Sequence, residues 1–134
     1  FKEVHNAIII GVGSLGGALI HDSGLSRYGL NIVAGFDVNP SIIGSKICGI
    51  PIYNISDLET KRKSLNAEIA VIAVPVDQAQ NVADLTVANG IKAIWNFTPS
   101  RIKLSENIVV QNTSIYSHLA VMYNRLDNQK QQPK

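Results

Sequence analysis

Short apolar runs alternate along this chain with longer stretches in which apolar residues recur at every third or fourth position. The runs cover residues 6–10, 31–37, 49–53, 69–74, 91–95 and 107–111, and each predicts a β-strand. Ile69-Ala70-Val71-Ile72-Ala73-Val74 is apolar without a break, as a parallel strand covered on both faces demands. The stretches between predict helices over residues 14–22, 57–65, 76–89 and 114–126. In the third of these Val76, Ala79, Val82, Ala83 and Val87 share one side, and Asn89-Gly90 closes it. Ser56 is expected to cap the second, with Glu59 completing a capping box. Pro75 stops the fourth strand, and Pro51 puts the third near a sheet edge. Asn39-Pro40-Ser41 reads as a turn, Ile42 and Ile43 as a short helical stretch ending at Gly44, and residues 25–30 as a loop.

Strands that alternate with helices pair in parallel through right-handed crossovers. The expected fold is therefore α/β, a Rossmann-type doubly wound parallel sheet in strand order 3-2-1-4-5-6 over residues 1–112. A carboxy-terminal helix over residues 113–127 and a polar tail over 128–134, expected to be disordered, complete the chain. In such sheets ligands bind beyond the carboxyl ends of the strands, where the strand order reverses. Four loops fall on that edge: Gly11 to Gly16, Asp37, Val74-Pro75 and Asn96 to Pro99.

The first of these loops carries the sharpest chemistry. Ala7-Ile8-Ile9-Ile10 runs straight into Gly11-Val12-Gly13-Ser14-Leu15-Gly16, and a helical pattern follows at once. Gly-x-Gly-x-x-Gly between a strand and a helix is a dinucleotide fingerprint. Gly11 permits the tight turn, Gly13 lets the backbone approach a pyrophosphate, and Gly16 lets the helix pack closely on the sheet. Free N–H groups and the positive dipole end of the helix attract the phosphates. The fingerprint also requires an acid ending the second strand about 20 residues on, and Asp37 supplies it. Its carboxylate is expected to accept from ribose hydroxyls and to repel a 2′-phosphate, which favours NAD(H) over NADP(H).

Composition narrows the function classes. The chain has 134 residues, 46% hydrophobic and 16% charged, enough for one domain with a real core. A net charge of +2 is far from the basic balance of a free-standing nucleic-acid binder, and Lys61-Arg62-Lys63 reads as a solvated face. The single cysteine, Cys48, excludes an internal disulfide, reading as a buried small residue or a loop thiol, and no Cys/His cluster has metal spacing. No run approaches about eighteen apolar residues, so no membrane association and a cytoplasmic location are expected. The chain opens on Phe1 without an initiator Met, and the expectation is that it is one domain cut from a longer protein.

The last predicted helix has apolar residues on more than one side. Ile115, Leu119, Met122 and Leu126 share a face, while Tyr116 and Tyr123 lie on another. Such a helix packs back on its own sheet or buries itself in a second copy of the chain.

Taken together, the chain resembles the NADH-responsive redox-sensing transcriptional repressors called Rex. The resemblance rests on Gly11 to Gly16, Gly35-Phe36-Asp37-Val38-Asn39-Pro40 with Gly44, Gly49-Ile50-Pro51-Ile52-Tyr53, Ala73-Val74-Pro75 with Ala79-Gln80, and Gly90 to Pro99, and spans about residues 6–126. It implies the cofactor-sensing part of such a repressor, without its amino-terminal winged-helix domain, through which operator DNA would be bound. It implies a homodimer made by exchange of the last helix, with Ile115, Tyr116, Leu119, Met122 and Tyr123 at the interface. It implies that NADH favours a closed dimer that releases DNA, and that NAD+ competes without the same closure. Position by position, Gly11, Val12, Gly13, Ser14, Leu15 and Gly16 hold the pyrophosphate and Asp37 and Val38 the adenosine. Val74 and Pro75 flank the cofactor, and Asn96, Phe97 and Thr98 lie near the nicotinamide. An apolar pocket there, lined by Phe97 and by Tyr116 of the exchanged helix, penalises the oxidised cation and makes the site NADH-selective.

Two positions depart from the family pattern. Ser114 stands where an aspartate commonly begins the last helix, and Asp22 where a tyrosine commonly ends the first. Other readings stay open on the residues alone. A dehydrogenase fragment needs a proton-transfer group beside the nicotinamide; His5, His21 and His118 all lie outside the crevice loops, and no catalytic residue is assigned. A coenzyme A module would use a similar glycine loop, but Asp37 faces the ribose that carries its 3′-phosphate.

Overall fold

The computed structural model describes residues 3–22, 24–113 and 115–131. The chain begins with β1 (His5–Ile10), α1 (Ser14–His21), α2 (Gly24–Arg27), β2 (Leu30–Asp37), β3 (Lys46–Ile47) and β4 (Ile50–Asn54). It continues with α3 (Leu58–Leu65), β5 (Ile69–Ile72), α4 (Ala79–Ala88), β6 (Ala93–Asn96), β7 (Val109–Asn112) and α5 (Ile115–Gln131). Single 3-10 turns at Ile55–Asp57 and Val76–Gln78 lead into α3 and α4. The strands form one sheet in the order β3-β4-β2-β1-β5-β6-β7. Its pairs are parallel except β3–β4. Set aside β3, and this is the 3-2-1-4-5-6 winding that the pattern predicts.

Register explains why the sheet is apolar on both sides. Ile8 lies opposite Ala34 and Ala70, Ile9 opposite Gly35 and Val71, and Ile10 opposite Phe36 and Ile72. Successive residues of a strand point to opposite faces. Ile8, Ile10, Phe36 and Ile72 pack beneath Leu58 of α3 and Ala79, Val82 and Ala83 of α4. Ile9, Ile32 and Val71 pack on the other face against Ile20 of α1. Helices thus cover both faces, and the carboxyl ends of β1, β2, β5 and β6 are left at one shared edge.

Several local expectations change. Residues 25–30 are not all loop, because Gly24–Arg27 close a turn of helix. Ile42 and Ile43 sit in a hydrogen-bonded turn rather than a helix. Ser56 does not cap the second predicted helix: the Asn54 side chain accepts from the Ser56 N–H and caps the 3-10 turn, so α3 begins only at Leu58. Lys46–Ile47 add an antiparallel edge strand that periodicity did not reveal. Its hairpin turns on Cys48 (φ 51) and Gly49 (φ 78), both left-handed, as a two-residue turn matched to strand twist requires. Helix α5 runs to Gln131, through part of the predicted tail, since Asn128-Gln129-Lys130-Gln131 holds no glycine or proline. Among the described residues no helix is long and apolar enough to cross a membrane.

Candidate functional site

The glycine loop is built by three different constraints. Gly11 turns the chain off β1 at φ +93, while its N–H still bonds the Phe36 carbonyl at 2.9 Å. A Cβ there would overlap the Ala73 carbonyl at the end of β5. A Cβ on Gly16 would overlap the carbonyl of Gly11 itself. The first turn of α1 therefore sits directly on the loop that launches it, more than on the sheet as first expected. Gly13 differs from both: nothing lies within 4 Å of the position its Cβ would take. Gly13 is itself the N-cap of α1, and no side chain caps that helix start. Ser14 is exposed beside it, and Val12 is buried under the loop.

Asp37 closes the loop from the side. One carboxylate oxygen accepts the Val12 N–H at 2.7 Å, and the other accepts the N–H groups of Val38 at 2.7 Å and Asn39 at 3.0 Å. A carboxylate has about four acceptor positions, so these bonds leave Asp37 room for roughly one further donor. The sequence missed its bond to the glycine loop, which only the parallel register of β1 and β2 creates.

Two cavities open on either side of this loop. The first, about 200 Å³, is lined by Gly11, Gly13, Asp37, Val38, Val74 and Pro75, with Ile55, Gln78 and Val82 behind. The second, about 400 Å³, is lined by Leu15, Val74, Pro75, Val76, Phe97, Thr98 and Pro99. Val74 and Pro75 border both, so the two form one crevice across the point where the strand order reverses. No charged side chain lines the second among the described residues.

Asn96 is close to that second cavity but does not offer it a free polar group. Fully buried, its amide donates to the Ser100 carbonyl at 2.9 Å and to Asn112 Oδ1 at 3.1 Å. Its carbonyl oxygen accepts from the Thr98 N–H at 2.9 Å and the Thr98 hydroxyl at 2.7 Å. Thr98 Oγ1 in turn accepts from the Ser100 N–H. Asn96 and Thr98 thus shape the loop that presents Phe97. The Phe97 ring lies 4.6 Å from that of Trp95, whose Nε1 donates to Thr113 Oγ1 at 3.0 Å, just before α5.

The remaining sequence candidates fall elsewhere. Met122 and Tyr123 are exposed on α5; the side chains of Ile115, Tyr116 and Leu119, and all of Ser114, lie outside the described residues. Asp22 is exposed and accepts from the Gly24 N–H. His5 stands beside Glu3 at the far end of β1 and His21 beside Cys48 at the far end of α1, so neither borders the crevice. Cys48 is exposed. Arg62 is not part of a solvated face: it donates to the carbonyls of Asn89 and Ala67. Among the described residues no group of three or more His, Cys, Asp or Glu is placed to hold a metal.

Comparison with known proteins adds to this geometry. Residues 2–100 match the family described as CoA binding domain. The redox-sensing transcriptional repressor Rex of Bacteroides fragilis is 57% identical over 127 residues, which are 95% of this chain and 58% of that protein. The chain therefore spans a little over half the length of the curated relatives it matches. Two solved structures superpose closely, both 32% identical over 96% of this chain. RSP in complex with β-NAD+ and operator DNA gives a TM-score of 0.91 over 59% of its length. RSP in complex with β-NADH gives 0.86 over 62%.

Proposed function

Because the chain belongs to the CoA-binding-domain family of Rossmann modules and is a homologue of the Rex repressors, we propose that it is the part of a redox-sensing repressor that binds NAD(H). The observation that carries this reading is the Asp37 carboxylate, bonded to the Val12 N–H beside the open space over Gly13. A pyrophosphate fits that space against the uncapped start of α1. Adenosine then occupies the cavity beside Asp37 and Val38, with one ribose hydroxyl on the acceptor position Asp37 keeps free. Nicotinamide occupies the cavity of Leu15, Val76 and Phe97. A phosphate on either ribose hydroxyl meets the Asp37 charge, which disfavours NADPH and coenzyme A alike.

Redox sensing follows from the second cavity. An effector shifts an equilibrium only by its differential affinity for the two states. The oxidised ring carries a positive charge, and a cavity without a charged lining offers it no partner after desolvation. The reduced ring is neutral and is expected to bind more tightly. Operator release is assigned to a change in a homodimer formed through α5, with DNA held by an amino-terminal winged-helix domain and the whole acting in the cytoplasm.

Calorimetric titration of the chain with NADH, NAD+, NADPH and coenzyme A tests the reading. NADH is expected to bind tightest, and Asp37→Ala to weaken NADH by about tenfold or more while narrowing its advantage over NADPH. Coenzyme A binding more tightly than NADH overturns the proposal. Equal affinity for NADH and NAD+ removes the sensing part and leaves a dinucleotide-binding module.

A further inference from the structure

The smaller cavity contains one polar side chain that the proposed contacts leave without work. Its lining is apolar apart from Asp37 and Gln78. Asp37 is engaged by the loop and, in the NAD(H) reading, by the ribose. Gln78 closes the 3-10 turn after Pro75, its backbone N–H bonded to the Pro75 carbonyl at 2.9 Å. Its carboxamide makes no hydrogen bond among the described residues. Gln80, two residues on, behaves differently. Its carboxamide bonds Asp84 and both backbone groups of Lys103, so it pins the chain before β7 and has nothing left for a ligand.

A flat base that enters between Val38, Ile55 and Val82 buries its faces against apolar side chains and brings its polar edge toward Gln78. A glutamine carboxamide carries one acceptor and a donor side by side. That pair is complementary to the amino group of adenine and the ring nitrogen beside it, the same match by which glutamine reads adenine in other settings. We propose that Gln78 is the base-recognition residue of this crevice, accepting a hydrogen bond from the adenine amino group and donating to the adjacent ring nitrogen. The inference rests on the NAD(H) reading and adds to it a residue that selects the base.

A thermodynamic cycle tests this. NADH and 1,N6-etheno-NADH, whose bridged ring leaves no hydrogen on N6, are titrated into the chain and into Gln78→Leu, with thermal melts as the folding control. Gln78 is exposed and its side chain makes no hydrogen bond among the described residues, so the variant is expected to melt with the parent. The parent is expected to prefer NADH over the etheno compound, and Gln78→Leu to lose about tenfold of that preference. Leucine is close to glutamine in volume, so the added bulk of the etheno ring meets comparable space in both proteins. If Gln78→Leu keeps the parental preference while still binding NADH, Gln78 is a solvated surface residue and the inference falls alone. If the parent binds neither compound, the NAD(H) reading falls and takes the inference with it.

Discussion

At the scale of single residues, neighbouring glycines answer to different forces, and this can be measured. Gly13 has a φ of −83, open to any side chain, and free space where its Cβ would stand. Gly13→Ala is therefore expected to leave the melting temperature essentially unchanged, while its methyl group enters the phosphate space and weakens NADH by about tenfold or more. Gly16→Ala drives a methyl group into the Gly11 carbonyl, a backbone atom that cannot swing aside. Overpacking of this kind costs about 1–3 kcal/mol, so Gly16→Ala is expected to lower the melting temperature by several degrees before ligand is added. A Gly13→Ala protein that melts early, or binds NADH as the parent does, contradicts this division. The fingerprint in the sequence assigned glycine to both positions. It already divided them, Gly13 for a pyrophosphate and Gly16 for close helix packing, but it could not show that Gly16 abuts the Gly11 carbonyl more than the sheet, because that depends on what surrounds its Cβ.

At the scale of elements, the loop after β6 is organised by the last residue of that strand. Asn96 ties Thr98, Ser100 and Asn112 together from a site with no solvent access. Removing one partner of a buried hydrogen bond costs about 1–3 kcal/mol. Asn96→Ala should accordingly destabilise the chain by a few kcal/mol in denaturant unfolding. It should also weaken NADH, since the loop no longer holds Phe97 in place. Unchanged stability would show that the network contributes nothing net. The sequence singled out Asn96-Phe97-Thr98-Pro99 but not its inward-facing amide, because periodicity reports which residues are apolar and says little about where a lone buried amide points. The core strands were legible for the complementary reason: Ile8, Ile10, Val71 and Ile72 alternate between two covered faces, so their runs are unbroken. Elements shorter than one period left no such trace. Lys46–Ile47 is too brief to alternate, and Cys48 is an unusual occupant of a left-handed turn position, so the hairpin gave no turn signal. Arg62 looked solvated because its neighbours Lys61 and Lys63 are charged, yet it reaches two backbone carbonyls across α3 and α4.

At the scale of the whole molecule, helix α5 is where one chain meets its surroundings. Residues 122–130 are all exposed, and Met122, Tyr123 and Leu126 are among the large apolar side chains left in solvent. In the proposed homodimer these side chains are covered. The chain is expected to sediment as a dimer, and the double variant Met122→Glu, Leu126→Glu as a monomer that still binds nucleotide. A monomeric parent, or a double variant that stays dimeric, refutes this use of α5. The residue that links the crevice to this helix has a second consequence. Trp95 is the sole tryptophan in the sequence, with its indole tilted against the Phe97 ring at the cavity wall and its Nε1 tied to Thr113 ahead of α5. Reduced nicotinamide absorbs in the band where indole emits, whereas the oxidised ring is transparent there. With nicotinamide in the Phe97 cavity, as proposed, energy transfer should dim the emission of Trp95 when NADH binds and leave it bright with NAD+, so that one intrinsic fluorophore turns the redox state of the ligand into light intensity.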